Sequence, residues 1–424
     1  MLLTPGAALA ETTPTPADNP IIKGANITVT LLDLNGGKGE PKPVPGVSLT
    51  VRQDSKTGTE LGTQTTDSKG RVSIAIPGNG RFVVNLDPKT LPSGVKLSGK
   101  GETTKTVQVK LASSNFVQFQ IGAVVVKDAS FGSQVVDGTR DGLKRGLIIA
   151  LAALGLSLIF GTTGLTNFAH GELITFGGIA TYIFNRGMGF PVIIAGILAV
   201  VASAAFGYAQ DRGLWRPLRN RGTGLIAMMI VSIGLALLMR SLFQYGFGGS
   251  TRTLTEYVTQ PRNSYGPVDL SHKEVAIFAI SIITIGVACV ALMRTRLGKA
   301  MRAVSDNPAL SASSGMRVDG VISSVWILGT ALTGLAGVLL AVQDQVNFQM
   351  GFNQLLLVFA GVTLGGLGTI WGALIGSLII GLMVELGPVF GVPASIKEVG
   401  ALVVLILILL IRPQGILGKA QRIG

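Results

Sequence analysis

The rhythm of polar and apolar positions changes once along this chain, near residue 140. Before that point, short runs alternate polar with apolar residues, the period of a half-buried strand. Such runs occupy 27–31, 47–51, 72–76, 82–86, 106–111 and 116–121, separated by Gly/Pro/Asn/Asp clusters. None approaches the ~20 apolar residues that a helix needs to cross a bilayer. From Leu143 onward, largely unbroken apolar stretches follow one another: 143–161, 168–184, 191–208, 225–243, 275–293, 321–342, 355–368, 373–386 and 399–411. The last three are short, and the Gly-rich region 361–376 suits a broken or re-entrant segment. The pattern predicts a multi-pass α-helical membrane protein of eight or nine transmembrane segments, preceded by a small all-β sandwich. The expected boundaries are a signal-like remnant and linker (1–19), the sandwich (20–126), a linker (127–142), the membrane domain (143–418) and a tail (419–424).

Composition agrees with this division. Apolar residues make up 48% of the chain and charged ones 13%, about half the ~25% of an average soluble protein. A mean hydropathy of +0.54 excludes a wholly soluble enzyme or a disordered scaffold. Cys289 is the only cysteine, so neither an intramolecular disulfide nor a cysteine-based zinc cage is available. Ala8-Leu9-Ala10 has the form of a signal-peptidase site, although the regions that normally precede such a site are missing.

A net charge of +13 would suggest nucleic acid for a soluble protein, but here position matters more than sum. Arg212, Arg216, Arg219 and Arg221 crowd one loop; Arg294, Arg296, Lys299, Arg302 and Arg317 another; Arg412, Lys419 and Arg422 the tail. The opposite loops hold Arg186, Arg252, Arg262, Lys273 and Lys397. The positive-inside rule therefore puts the C-terminus in the cytoplasm; nine crossings then put the sandwich outside, and eight would put it in the cytoplasm. Lys144 and Arg145 then open the first span on the outer side, against the rule.

Three stretches depart from ordinary membrane sequence. Asn167, His170 and Glu172 bring an amide, an imidazole and a carboxylate to the start of one apolar span. Polar groups at that depth line a substrate pathway, or they cap and pack a helix with Asn167 as N-cap and Glu172 at its positive end. A metal site does not fit, because two ligands two residues apart on a helix do not share a face. In the loop 294–316, Asn307-Pro308 reads as an N-cap and first helical turn and Gly315 as the stop. Such a short helix docks into a groove on a partner or lies on anionic lipid. In the third stretch, Gly368, Gly372 and Gly376 recur every four residues, so helices can approach backbone to backbone, while Gly365-Gly366 breaks the helix at a packing joint or gate.

These blocks occur in one order: Asn167-Phe168-Ala169-His170-Gly171-Glu172, then Gly298-Lys299-Ala300 with Arg302-Ala303 and Gly315, then Gly365-Gly366-Leu367-Gly368, then Arg412-Pro413-Gln414-Gly415-Ile416-Leu417-Gly418. As a set they resemble the permease subunits of ABC importers for branched-chain amino acids and their urea-importing relatives, over about residues 143–419. The resemblance implies a second homologous or identical permease, two cytoplasmic ATPase subunits and an extracytoplasmic substrate-binding protein, all at the inner membrane of a bacterium. It makes 298–315, with Gly298, Lys299, Ala300, Arg302, Ala303, Asn307, Pro308 and Gly315, the segment that couples to the ATPase. No cofactor belongs to this chain, since ATP is used by the partners. Ser311 and Trp371 depart from the family's usual small residues. Pro45-Gly46-Val47, Thr66–Arg71 and Pro77-Gly78 resemble the carboxypeptidase-regulatory-like sandwiches, a domain outside the usual permease pattern.

The run 94–100 has the outline of a phosphate loop, but Gly101 stands where a magnesium-binding Ser or Thr is needed. ATP-driven import therefore requires a separate motor. Two readings of other classes remain at this point. One is a passive channel or secondary carrier with His170 and Glu172 as a proton relay. The other is an intramembrane hydrolase, which lacks a nucleophile near a base.

Overall fold

The computed structural model describes residues 26–33, 42–55, 58–78, 80–92, 95, 97, 103–109, 114–121, 130–256, 262–265, 268–411 and 415–418. The signal-like remnant, Arg412-Pro413-Gln414, the tail 419–424 and most of the 94–100 run lie outside them. Two units separate, Met1–Val125 and Val126–Gly424.

The first unit contains β1 (Asn26–Asp33), β2 (Lys42–Pro43), β3 (Ser48–Gln53), β4 (Glu60–Thr65), β5 (Arg71–Ala75), β6 (Gly80–Leu86), β7 (Thr104–Val109) and β8 (Ser114–Ile121). β1 pairs antiparallel with β2 and β5 and parallel with β8, while the second sheet runs β4-β3-β6-β7. Alternate residues turn inward, so Ile27, Val29, Leu31, Leu49, Val51, Val72, Ile74, Phe82, Val84 and Leu86 share one core. The β4 strand was not expected. Its residues are mostly exposed, and pairing with β3 holds it, helped by Thr50 Oγ1 and Thr63 Oγ1 at 2.8 Å.

The second unit is helical: α1 (Phe131–Thr163), α2 (His170–Tyr182), α3 (Val192–Gln210), α4 (Arg216–Asn220), α5 (Leu225–Phe247), α6 (His272–Arg294), α7 (Arg296–Asp306), α8 (Pro308–Ser313), α9 (Val318–Gln343), α10 (Met350–Gly365), α11 (Ile370–Leu386) and α12 (Lys397–Ile411). A hairpin of β9 (Arg262–Tyr265) and β10 (Val268–Ser271) precedes α6. Each of the nine predicted apolar stretches is helical, but the span count of eight or nine is not reproduced. Among the described residues, six helices are long and apolar enough to cross a membrane. α2 has 13 residues and continues as a π-helical segment, Ile183–Gly187, a combined rise of roughly 25 Å against a hydrocarbon core of about 30 Å. α10 and α12 are likewise short, with 16 and 15 residues.

α1 is the central element, buried almost continuously from Gly146 to Ile159. A Cβ on Gly142 would meet Leu382 Cα at 2.8 Å, and one on Gly146 would meet Leu378 Cα at 2.9 Å, so α1 lies directly on the backbone of α11. On another face, a Cβ on Gly155 would overlap the Gly329 carbonyl of α9. Residues 131–142, expected as linker, are instead the opening turns of α1, capped by Ser130 Oγ accepting from Ser133 N–H. Polar residues serve there because each charge has a partner. Arg140 contacts Asp137 at 2.8 Å and Asp141 at 3.0 Å, Lys144 contacts Glu274 at 2.7 Å, and Arg145 bridges Glu385 at 3.0 Å and Glu398 at 2.7 Å. Lys144 and Arg145 are thus neutralised in place.

The Lys144–Glu274 pair is buried on both sides, at 8% and 5% side-chain exposure. Replacing Lys144 by Met strands a buried carboxylate, a change that costs roughly 3–5 kcal/mol. The expected outcome is a lowered midpoint for heat-induced loss of monodisperse detergent-solubilised protein. Adding Glu274→Gln, which removes the charge but keeps an acceptor for the Ser271 cap, should recover most of the loss.

Candidate functional site

The three polar residues of the first motif sit where the chain turns back on itself. α1 ends at Gly164, whose φ of +67° supplies the left-handed cap. The start of α2 then lies beside the middle of α1, because His170 Nε2 is 2.9 Å from the Ala152 carbonyl. Ala152 precedes the end of α1 by eleven residues, or roughly 16 Å of helix. The six residues 164–169 therefore climb back alongside α1 as non-helical backbone. Such backbone is tolerated at membrane depth only when protein encloses it. Leu165, Asn167 and Ala169 are 2%, 0% and 0% exposed, as this requires.

Each side chain has its own task in this turn. Asn167 Oδ1 accepts from Ala169 N–H at 3.0 Å, two positions before the N-cap role expected of it, which Ala169 itself occupies. His170 is fully buried; its Nε2 carries the proton, donated to Ala152 O, with Thr333 Oγ1 at 3.2 Å. Among the described residues its Nδ1 has no partner, and no direct hydrogen bond joins His170 to Glu172. Glu172 turns to α5, where Arg240 Nε and Nη2 donate to Oε1 at 3.1 and 3.0 Å. The Arg240 guanidinium lies 3.6 Å from the ring centroid of Phe352 on α10. Thr175 Oγ1 accepts from Gly351 N–H at 3.1 Å, which pins the start of α10 to α2.

Arg240 is absent from the sequence-derived set. It lies within the apolar run 225–243 and reads there as span; a lone cation in such a run was the available signal.

The glycine block forms a joint between α10 and α11. A Cβ on Gly365 would overlap the Gly372 carbonyl, one on Gly372 the Gly365 carbonyl, and one on Gly376 the Gly361 carbonyl. The helix breaks at Gly366 (φ +111°) and Gly368 (φ +76°), conformations that favour glycine. The last carbonyls of α10 do not go unsatisfied: Ile416 N–H donates to Leu364 O at 2.7 Å and Leu417 N–H to Gly365 O at 2.9 Å. That contact gives the final sequence block a structural purpose. Trp371 is half exposed, so its bulk points away from the joint.

The loop 294–316 holds two helices where one was expected. α7 buries Gly298, Met301 and Val304, a spacing of three that marks one helical face. Asn307 Oδ1 accepts from Leu310 N–H at 2.9 Å and caps α8. Gly298 packs under the Leu292 carbonyl, and Arg302 Nη1 donates to that carbonyl at 3.0 Å, so Arg302 caps α6. Lys299, Ala309, Leu310 and Ser313 are exposed, while Ala300 and Ala303 are partly covered and Ser311 is buried. Gly315 (φ +84°) turns the chain into α9. Ser305 Oγ donates to Gly161 O, and a Cβ on Gly161 would sit 3.6 Å from Gly368 Cα. The basic segment, the end of α1 and the glycine joint therefore meet at one end of the bundle.

At the opposite helix ends, two adjoining cavities of about 590 and 320 Å³ share Lys273, Gln343 and Asp344. The larger is lined by Thr251, Glu256, Asn347 and Asn353, and the smaller by the paired charges at the start of α1. Among the described residues, no cluster of His, Cys, Asp or Glu could hold a metal ion.

The family model described as the branched-chain amino acid transport system permease component matches residues 139–411. The chain belongs to this permease family. The high-affinity branched-chain amino acid transport system permease protein BraD of Pseudomonas aeruginosa is 31% identical over 297 residues, 66% of this chain and 95% of BraD. The corresponding protein LivH of Escherichia coli K12 is 28% identical over 295 residues, 66% of this chain and 94% of LivH. A probable permease of the same name from Methanocaldococcus jannaschii is 30% identical over 285 residues, covering 64% and 89%. The family match begins at residue 139, so the β-sandwich is an addition to the permease body. As a permease component of an ABC transporter family, the chain is a membrane transport subunit rather than an enzyme, and ATPase and substrate-binding partners go with it.

The joint gives a direct check. Gly372→Val forces α10 and α11 apart, and overpacking of this kind costs roughly 1–3 kcal/mol. The variant should lose heat stability in detergent, whereas Gly234→Ala, with nothing within 4 Å of the added carbon, should not.

Proposed function

We propose that this chain is the translocating subunit of an ATP-driven importer of branched-chain amino acids, working with a second permease, two cytoplasmic ATPase subunits and an extracytoplasmic binding protein. The observation that carries the reading is the permease-family match over the whole helical unit from residue 139 to 411. The relatives' names supply the substrate class: BraD and LivH are named as branched-chain amino acid permeases.

The segment Gly298–Gly315 is the ATPase-docking element. Its outer surface offers Lys299, Ala309, Leu310 and Ser313, while Met301 and Val304 anchor it to the bundle. Ser305 ties the segment to Gly161, beside the glycine joint, so movement imposed by the motor reaches α1 and the α10–α11 break together. Gly365, Gly366, Gly368, Gly372 and Gly376 then form the joint at which the bundle rocks. Glu172 belongs to the substrate pathway, and Asn167 and His170 act behind it by holding the turn that positions α2. The polar cavities at the opposite helix ends are the entrance facing the binding protein. This assignment places the chain in a bacterial inner membrane, with α7 and α8 in the cytoplasm and the sandwich outside.

Removing the genes of the ATPase partners should abolish concentrative uptake of radiolabelled leucine; undiminished uptake rejects the motor-driven reading. In a Cys289→Ser background, Ala309→Cys or Ser313→Cys should crosslink to the ATPase from the cytoplasmic side. Labelling of those cysteines from outside intact cells reverses the orientation.

A further inference from the structure

The exposed face of α5 is apolar along most of its length, with Ile226, Ile230, Ile233, Leu237, Leu238 and Leu242 bare. Around the partly exposed Arg240, the polar Ser241 and Gln244 interrupt that face and are exposed among Leu237, Leu238, Leu242 and Tyr245. A guanidinium stays charged at any pH a protein meets, and placing one against hydrocarbon is costly. Any part of the Arg240 guanidinium left open therefore needs a polar surrounding. The guanidinium is also held rigidly. Its side edge, Nε and Nη2, is used on a single oxygen of Glu172, at 3.1 and 3.0 Å, and its plane is fixed by Phe352 at 3.6 Å. Its end edge is left over. Nη1 makes no hydrogen bond among the described residues, and the Arg240 side chain is 20% exposed while Glu172 is 1% exposed. Glu172 is itself almost fully buried, so the carboxylate orients the arginine rather than facing the open space.

A preset guanidinium edge matches the two oxygens of a carboxylate. We infer that Arg240 is a specificity-determining residue of the pathway, and that its open edge takes the α-carboxylate of the amino acid in transit. Because Glu172 already balances its charge, the site holds the substrate weakly enough to release it. The inference rests on the import reading above for the identity of the ligand, while the anion site itself is testable without transport.

The test uses the assembled complex with its ATPases and binding protein in liposomes, in a Cys289→Ser background. Gln244→Cys is treated with an anionic and a cationic methanethiosulfonate reagent, each rate normalised to a free thiol. The anionic reagent should react roughly tenfold faster, and Arg240→Gln should remove that preference. Equal rates, or reaction only with a lipid-soluble maleimide, overturn the proposal. For transport, Arg240→Gln should lower leucine uptake roughly tenfold or more at saturating binding protein. The double exchange Glu172→Arg with Arg240→Glu separates positioning from recognition: it keeps an ion pair but should leave uptake lost, and restored uptake reduces Arg240 to a structural partner. If the exchanged protein does not assemble with the ATPases, the labelling ratio decides alone. Failure of the unaltered complex to import leucine with ATP would count against the import reading, and the labelling ratio would still judge the anion site.

Discussion

Backbone-to-backbone contact between helices is the constraint on which the permease unit rests. In lipid there is little hydrophobic gain from bringing two apolar helices together, so close packing has to supply the attraction. The helical unit obtains it by omitting side chains. Gly142, Gly146 and Gly155 let α1 lie on α11 and α9, and Gly361, Gly365, Gly372 and Gly376 let α10 lie on α11. Seven of the 58 glycines of the sequence thus serve these crossings. α1 is buried along its whole middle because its neighbours close on its backbone.

That tight frame makes the irregular parts possible. The non-helical return 164–169 would be intolerable against lipid, yet here its polar groups are enclosed and served by Asn167, Thr163 and Ser232. His170 belongs to the same support: its proton goes to a carbonyl of α1, and it fixes the point at which α2 begins. Glu172, two residues further, reaches outward to α5. Three residues that look alike in sequence thus divide into two that hold the turn and one that engages a neighbouring helix.

The sequence carried much of this, and its silences have physical causes. Apolar stretches announced every membrane-unit helix of substantial length, and period-two runs announced β1, β3, β5, β6, β7 and β8. β4 stayed hidden because Glu60–Thr65 has no buried face; only its partner strand makes it a strand. α7 was passed over because the charges Arg296, Lys299 and Arg302 drew attention from the buried spacing Gly298, Met301, Val304. The extent of α1 was underestimated because its first turns are polar, and only the fold brings Glu274, Glu385 and Glu398 to its cations. Arg240 needed the third dimension: its partner lies 68 positions away in the chain.

The contact of residues 416 and 417 with the end of α10 also bears on the order in which the molecule can be completed. Those residues follow α12, so the carbonyls of Leu364 and Gly365 find these donors only after the rest of the bundle has been synthesised. A nascent chain stalled before that point would hold its α10–α11 hairpin without its final latch.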